Sequence, residues 1–304
     1  MPVPVMRSLV SGRRAVRRLL QFMPILLLLK VSGLLPMDLR LRIWEILGGI
    51  STRLVPALRN RVEENLIQVM PGLASQERTH LITSVGRNTG RCLCELLFNG
   101  QFGRTLSRFE VSGPGMATIE AARGKGCILV SGHFGQWEAV RHVLKAQGLT
   151  SGAIYKPNTN SYYDAVFLTS IRCGGEPMFK SGSRGMREVV RHLRNGGFVS
   201  LLVDQRYNQG QAFDFLGYPA LTSTVAADLA IKFSVPLVPA YGTRMPDGRI
   251  AVDFEPPIDH TNAVEMTQKI NDSLARRVRA NPEQWHWMHR RWKNASQSIP
   301  SNRG

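Results

Sequence analysis

The sequence predicts an α/β fold: a mainly parallel or mixed central sheet covered by helices on both faces, with an N-terminal helical, membrane-contacting segment. Three observations predict it. From Phe109 onward, short apolar β-branched runs recur with helical spacing between several of them. Before Phe109 the apolar spacing is helical. The first 37 residues join a cluster of arginines to a leucine run. A chain of 304 residues suits one large domain with an added terminal segment. The expected division is 1–37 for membrane association, 38–294 for the main domain (helical to 108, α/β thereafter), and 295–304 as a frayed tail.

Taken in order, Arg7, Arg13, Arg14, Arg17 and Arg18 precede Leu19 to Leu29, an apolar run broken only by Gln21 and Pro24. No small-residue cleavage site follows, so the segment reads as an uncleaved anchor or a helix lying in the interface. From Asp38 to Phe98, Leu39, Ile43, Ile46, Leu47 and Ile50 form one helical face, and Val62, Leu66 and Val69 form another. Pro71-Gly72 breaks the pattern, and Ser75 opens a helix with Leu81, Val85, Cys92 and Leu96 inward and Glu95 on the surface. Expected strands are Phe109 to Val111, Gly126 to Ser131, Ser151 to Tyr155, Phe198 to Val203, Leu237 to Tyr241 and Ile250 to Phe254. Ser181-Gly182-Ser183-Arg184-Gly185 opens a helix whose free N–H groups suit a phosphate or an ordinary cap. Interleaved Trp and Arg from Trp285 to Lys293 suit a lipid–water interface or single-stranded nucleic acid.

Functional groups in such sheets gather beyond the carboxyl ends of strands. His133 follows the run Cys127 to Ser131, Tyr155-Lys156-Pro157-Asn158 follows a second strand, and Asp204-Gln205 a third. His133 in the turn and Glu138 in the next helix's first turn can converge. A carboxylate accepting one imidazole N–H fixes the tautomer, so the other nitrogen can act as a base. No nucleophilic serine or cysteine stands beside the pair, so a substrate hydroxyl is the expected group activated. Gly132 and Gly135 leave room for substrate and offer backbone N–H groups to an oxyanion. Asp204 is expected to bind an acceptor head group and Arg172 a phosphate, with Tyr155, Lys156, Asn158 and Gln205 lining the same crevice.

Gly132-His133-Phe134-Gly135-Gln136-Trp137-Glu138 resembles the H-x4-[D/E] motif of glycerolipid acyltransferases, and more narrowly the late (secondary) acyltransferases of bacterial lipid A biosynthesis. The likeness extends, in order, through Val203-Asp204-Gln205, Phe215 to Ala220, Val235 to Pro239, and Pro282 to Lys293. Leu216, where that family usually carries a second Phe, and Lys156, where Arg is commoner, depart from it mildly. The resemblance implies a fatty acyl chain moved from an acyl carrier protein thioester to a hydroxyl of a lipid A precursor. It also implies an enzyme at the bacterial cytoplasmic membrane with its site facing the cytoplasm.

A net charge of +17 seeks polyanions. No nucleic-acid module is visible, so nucleic acid is not the expected partner, and the resemblance implies two other anions, phosphorylated lipid and the acidic acyl carrier protein. Cys92, Cys94, Cys127 and Cys173 lack paired metal spacing, so reduced thiols with no metal and no cofactor are expected. Rival readings are the same chemistry on another glycolipid or aminolipid, a thioesterase, and a non-enzymatic membrane or nucleic-acid binder.

Overall fold

Helices fill the first third of the chain in the computed structural model, which describes residues 12–293: α1 (Gly12–Gly33), α2 (Met37–Leu54), α3 (Pro56–Val69), α4 (Ser75–Leu97) and the single turn α5 (Asn99–Phe102). Arg7 and the expected tail from 295 lie outside the described residues. Pro36 precedes α2 and Pro56 opens α3, a place where the missing N–H costs nothing. None of the described helices is long and apolar enough to cross a membrane. Along α1, Phe22 stacks on Tyr162 and Leu29 is buried, while Leu20 and Leu27, and Leu34 just past its end, stay exposed.

The face of α2 differs from expectation. Leu39, Ile46, Leu47 and Ile50 are exposed, and Leu41, Trp44, Gly49 and Thr52 are buried instead. Small residues decide this. A Cβ on Gly48 would lie 2.2 Å from the Gly86 carbonyl, and one on Gly90 would meet the Trp44 carbonyl. The backbones of α2 and α4 therefore approach across glycines, and the aliphatic stripe of α2 is left outward.

The α/β part follows as β1 (Phe109–Ser112), α6 (Gly115–Ala121), β2 (Cys127–Ser131), α7 (Glu138–Ala146), β3 (Ser151–Tyr155), α8 (Ser161–Ile171), β4 (Met178–Lys180), α9 (Ser183–Arg194), β5 (Phe198–Leu202), β6 (Gln211–Phe215), β7 (Tyr218–Thr222), α10 (Val225–Phe233), β8 (Leu237–Arg244), β9 (Ile250–Phe254) and α11 (Ala263–Ala280). Seven strands form one sheet in the order β1-β9-β8-β2-β5-β3-β4. Neighbours are parallel except β8 with β9, so the sheet is mixed and mainly parallel. The hairpin β6-β7 stands apart, turning at Leu216 (φ 59°) and Gly217 (φ 90°).

Period-two alternation in β2 feeds both sides of the sheet. Cys127 and Leu129 join the core under α6 and α7 with Ile119, Val140 and Leu144. Ile128 and Val130 join the core under α9, α10 and α11 with Val189, Ala227 and Ile270. Each fully buried aliphatic side chain contributes about 1.5–3 kcal/mol, so a strand buried on both faces is held firmly at its register. The C-terminal aromatics also differ from expectation. Trp285, Trp287 and Trp292 are buried against Phe215, Phe134 and Leu274, and Arg291 is fully buried. They close the core, and none sits at a lipid–water interface.

Candidate active site

Strand register brings the central pair together. Ser131 of β2 is opposite Leu202 of β5, and the Val203 N–H continues the ladder to the Ser131 carbonyl at 3.0 Å. Two residues further along each strand stand His133 and Asp204. The Asp204 Oδ1 lies 2.8 Å from His133 Nδ1, and Oδ2 accepts from the His133 backbone N–H at 2.8 Å. Trp285 Nε1 donates to the same Oδ2 at 2.9 Å. Burial alone would raise the Asp204 carboxyl, but the His133 ring and the donated hydrogen bonds hold it well below the usual carboxylate range. An ionised Asp204 accepts a hydrogen bond from Nδ1–H, which keeps the proton on that nitrogen and leaves Nε2 as the basic one.

The turn carrying His133 is pinned from behind. Gly135 adopts φ 53°, and a Cβ there would lie 2.0 Å from the Gly242 carbonyl, so only glycine fits. Its N–H donates to the Gln284 carbonyl at 2.8 Å, and the Gln136 N–H donates to the Gly242 carbonyl at 2.7 Å. These bonds correct the expectation that Gly135 offers its N–H to an oxyanion. Gln136 Nε2 donates to the buried Glu95 at 2.7 Å, and Glu95 takes two further bonds from Arg244. Glu95 is thus buried behind the turn and not on the surface.

Glu138 does not reach the imidazole in the expected way. Arg141, one helical turn along α7, donates to both of its oxygens at 3.1 and 2.9 Å, and Asn99 Nδ2 donates at 3.1 Å. The ion pair of Glu138 with Arg141 is buried on both sides. The carboxylate that holds His133 is Asp204, which was expected to bind a head group. Both Asp204 oxygens are occupied within the protein, and its side chain is buried.

His133, Glu138, Tyr155, Lys156, Asn158 and Gln205 line one cavity of about 430 Å³. Its inner wall is apolar, built from Leu96, Leu129, Val140, Ile154, Phe167 and Leu201. Gln205 Nε2 lies 3.4 Å from His133 Nε2 at the mouth. Arg172 is not among these residues. It pairs with Glu176 at 3.2 Å and faces a smaller neighbouring cavity. His286 lies beside the His133 ring at 6.1 Å, and burial, then the His133 charge, push it down to about 4, so it stays neutral.

A family model described as bacterial lipid A biosynthesis acyltransferase matches residues 11–294. The chain belongs to this family. A lipid A biosynthesis lauroyltransferase of Escherichia coli (strain K12) is 26% identical over 267 residues, covering 84% of this chain and 85% of that protein. In this acyltransferase the parts that sequence reasoning missed are supporting ones. Trp285 holds Asp204 and Asn99 holds Glu138 from distant parts of the chain, and Glu95 with Arg244 holds Gln136 in the turn; no local spacing announces these contacts, whereas Arg141 meets Glu138 from one turn along the same helix.

Proposed function

We propose that the acyltransferase moves a fatty acyl chain from an acyl carrier protein thioester to a hydroxyl of a lipid A precursor, with His133 as general base and Asp204 fixing its tautomer. The observation that carries this reading is a largely apolar cavity opening at half-buried His133, which a buried Asp204 holds from behind. His133 Nε2 removes the hydroxyl proton, and the oxygen attacks the thioester carbonyl carbon. The tetrahedral intermediate collapses, the C–S bond breaks, and the imidazolium returns its proton to the leaving thiolate. Asp204 stays ionised and stabilises the imidazolium. The Gln205 amide, close to Nε2, donates to the developing oxyanion. The apolar wall takes the acyl chain, while Tyr155, Lys156 and Asn158 meet the polar groups at the rim. The buried Glu138–Arg141 pair forms part of the cavity wall and keeps α7 in place.

The same reading puts the chain on the inner face of a bacterial cytoplasmic membrane. Leu20 and Leu27 of α1, Leu34 just after it, and Ile46 and Ile50 of α2 are exposed, and Arg14, Arg17 and Arg18 precede them. Apolar side chains beside a basic flank favour a helix lying in an anionic lipid surface.

Purified protein supplied with acyl carrier thioester and a lipid A precursor tests the reaction, with the product lipid read by mass spectrometry. A single added acyl ester is expected, and its loss in His133→Ala. Free fatty acid without lipid product would overturn the transfer and indicate a thioesterase.

A further inference from the structure

Helix α9 carries Arg184, Arg187, Arg191 and Arg194 at spacings of three, four and three, which place all four on one face. All four are exposed, as are Arg172 and Lys180 beside them. From Arg172 to Arg194 the sequence holds these six cations against two carboxylates, Glu176 and Glu188. Those two pair with Arg172 and Arg184, whereas Arg187 and Arg191 form no ion pair with any described carboxylate. The stripe leads to the reaction. Arg184 and Lys180 line a cavity of about 250 Å³ whose wall shares Tyr155, Met178 and Ser181 with the cavity at His133.

The chemistry of this face separates it from the lipid-seeking one. No large hydrophobic side chain is exposed between Arg172 and Leu201, whereas α1 and α2 expose many. A surface that sinks into headgroups mixes apolar with basic groups. One that is only charged draws a soluble anion by steering. We propose that the arginine face of α9, with Lys180, is the docking surface for an acidic thioester carrier protein, whose prosthetic arm enters past Tyr155 and Ser181 to reach His133. The inference rests on the carrier-dependent reading above.

The test compares two donors on the full-length chain: an acyl group on an acidic carrier protein, and the same acyl group on pantetheine alone. The triple variant R187E/R191E/R194E, whose positions line neither cavity, is expected to lower kcat/KM for the carrier-borne donor about tenfold or more, mostly as a higher KM. Transfer from acyl-pantetheine and sedimentation with anionic vesicles should stay within about twofold. The variant R53E/R59E, exposed arginines elsewhere, should leave both donors unaffected. The single variant R187E carries the same comparison should the triple variant fail to fold. An equal fall with both donors, a loss of vesicle binding, or an equal fall in R53E/R59E would overturn the docking proposal. An unmutated chain active with acyl-pantetheine but never with the carrier would also overturn it, while leaving the transfer chemistry standing. A chain inactive with both donors would bring down the transfer reading and the docking proposal with it.

Discussion

Asp204 and Glu138 are both buried carboxylates, and their neighbours give them different work. Asp204 accepts from His133 and Trp285, so its charge is spent on orienting the imidazole. Glu138 neutralises Arg141, whose guanidinium also donates to the Ile171 and Gly175 carbonyls. Removing one partner of a buried ion pair costs about 3–5 kcal/mol. Glu138→Gln is therefore expected to lower the denaturant midpoint markedly, read by circular dichroism, because Arg141 keeps its charge without a counter-ion. Gln205→Ala should leave stability unchanged and lower kcat about 10²-fold if its amide serves the oxyanion; unchanged kcat would remove that role. His133 was legible in the sequence because a buried-strand run delivers it into a glycine-flanked turn. Asp204 was legible as a site residue but not as the partner of His133. That pairing depends on β2 and β5 being neighbours in register, and one sequence does not print strand order.

Between elements, the clamp of Glu95, Arg244 and Gln136 joins α4, β8 and the turn after β2. Gln284 adds to it, accepting from the Arg244 N–H and donating to the Arg244 carbonyl, both at 2.8 Å. Breaking the clamp should loosen the turn that aims His133. Glu95→Gln is expected to destabilise the fold and to lower kcat even where the protein remains folded, and full kcat in the folded fraction would show the turn is held otherwise. Strands β2, β5, β8 and β9 were readable from their apolar and β-branched runs. Two features were not. At three residues, β4 is too short to show a period, and the β6-β7 hairpin turns on Leu216-Gly217, which lacks the Asn or Asp that usually marks two positive φ angles. The face of α2 was misread for a related reason: helical periodicity finds the largest apolar stripe, whereas backbone contact between helices selects the smallest side chains.

Across the whole molecule, buried His142 and half-buried His286 both contribute to the response to acid. Burial, then Arg141, push His142 down to about 4, and burial, then His133, do the same to His286. Their ordinary value is 6.5, so between about 6.5 and 4 the unfolded chain binds protons that the folded chain refuses. Stability should therefore fall as pH drops through that window. Asp204 acts in the same direction at lower pH: its folded value lies below the ordinary one, so its contribution is full above 3.8 and is lost as pH falls below it. Urea midpoints measured from pH 7 to 4 check the histidine effect, and a flat profile would contradict it. Membrane association belongs to the same scale. Leu20→Asp with Leu27→Asp changes two exposed positions, so the fold should persist while vesicle binding is lost.

In the proposed mechanism His133 takes the acceptor's proton and Asp204 holds the imidazole for that task. That assignment is tested most directly by kcat of Asp204→Asn beside Glu138→Gln, each corrected for its folded fraction by circular dichroism. Asparagine in place of Asp204 can hydrogen-bond but cannot stabilise an imidazolium or enforce the tautomer, so kcat should fall about 10³–10⁴-fold. Glu138→Gln should lose far less per folded molecule. Near-full kcat in Asp204→Asn, with the large loss in Glu138→Gln, would contradict the assignment and return the orienting role to the carboxylate five residues from His133.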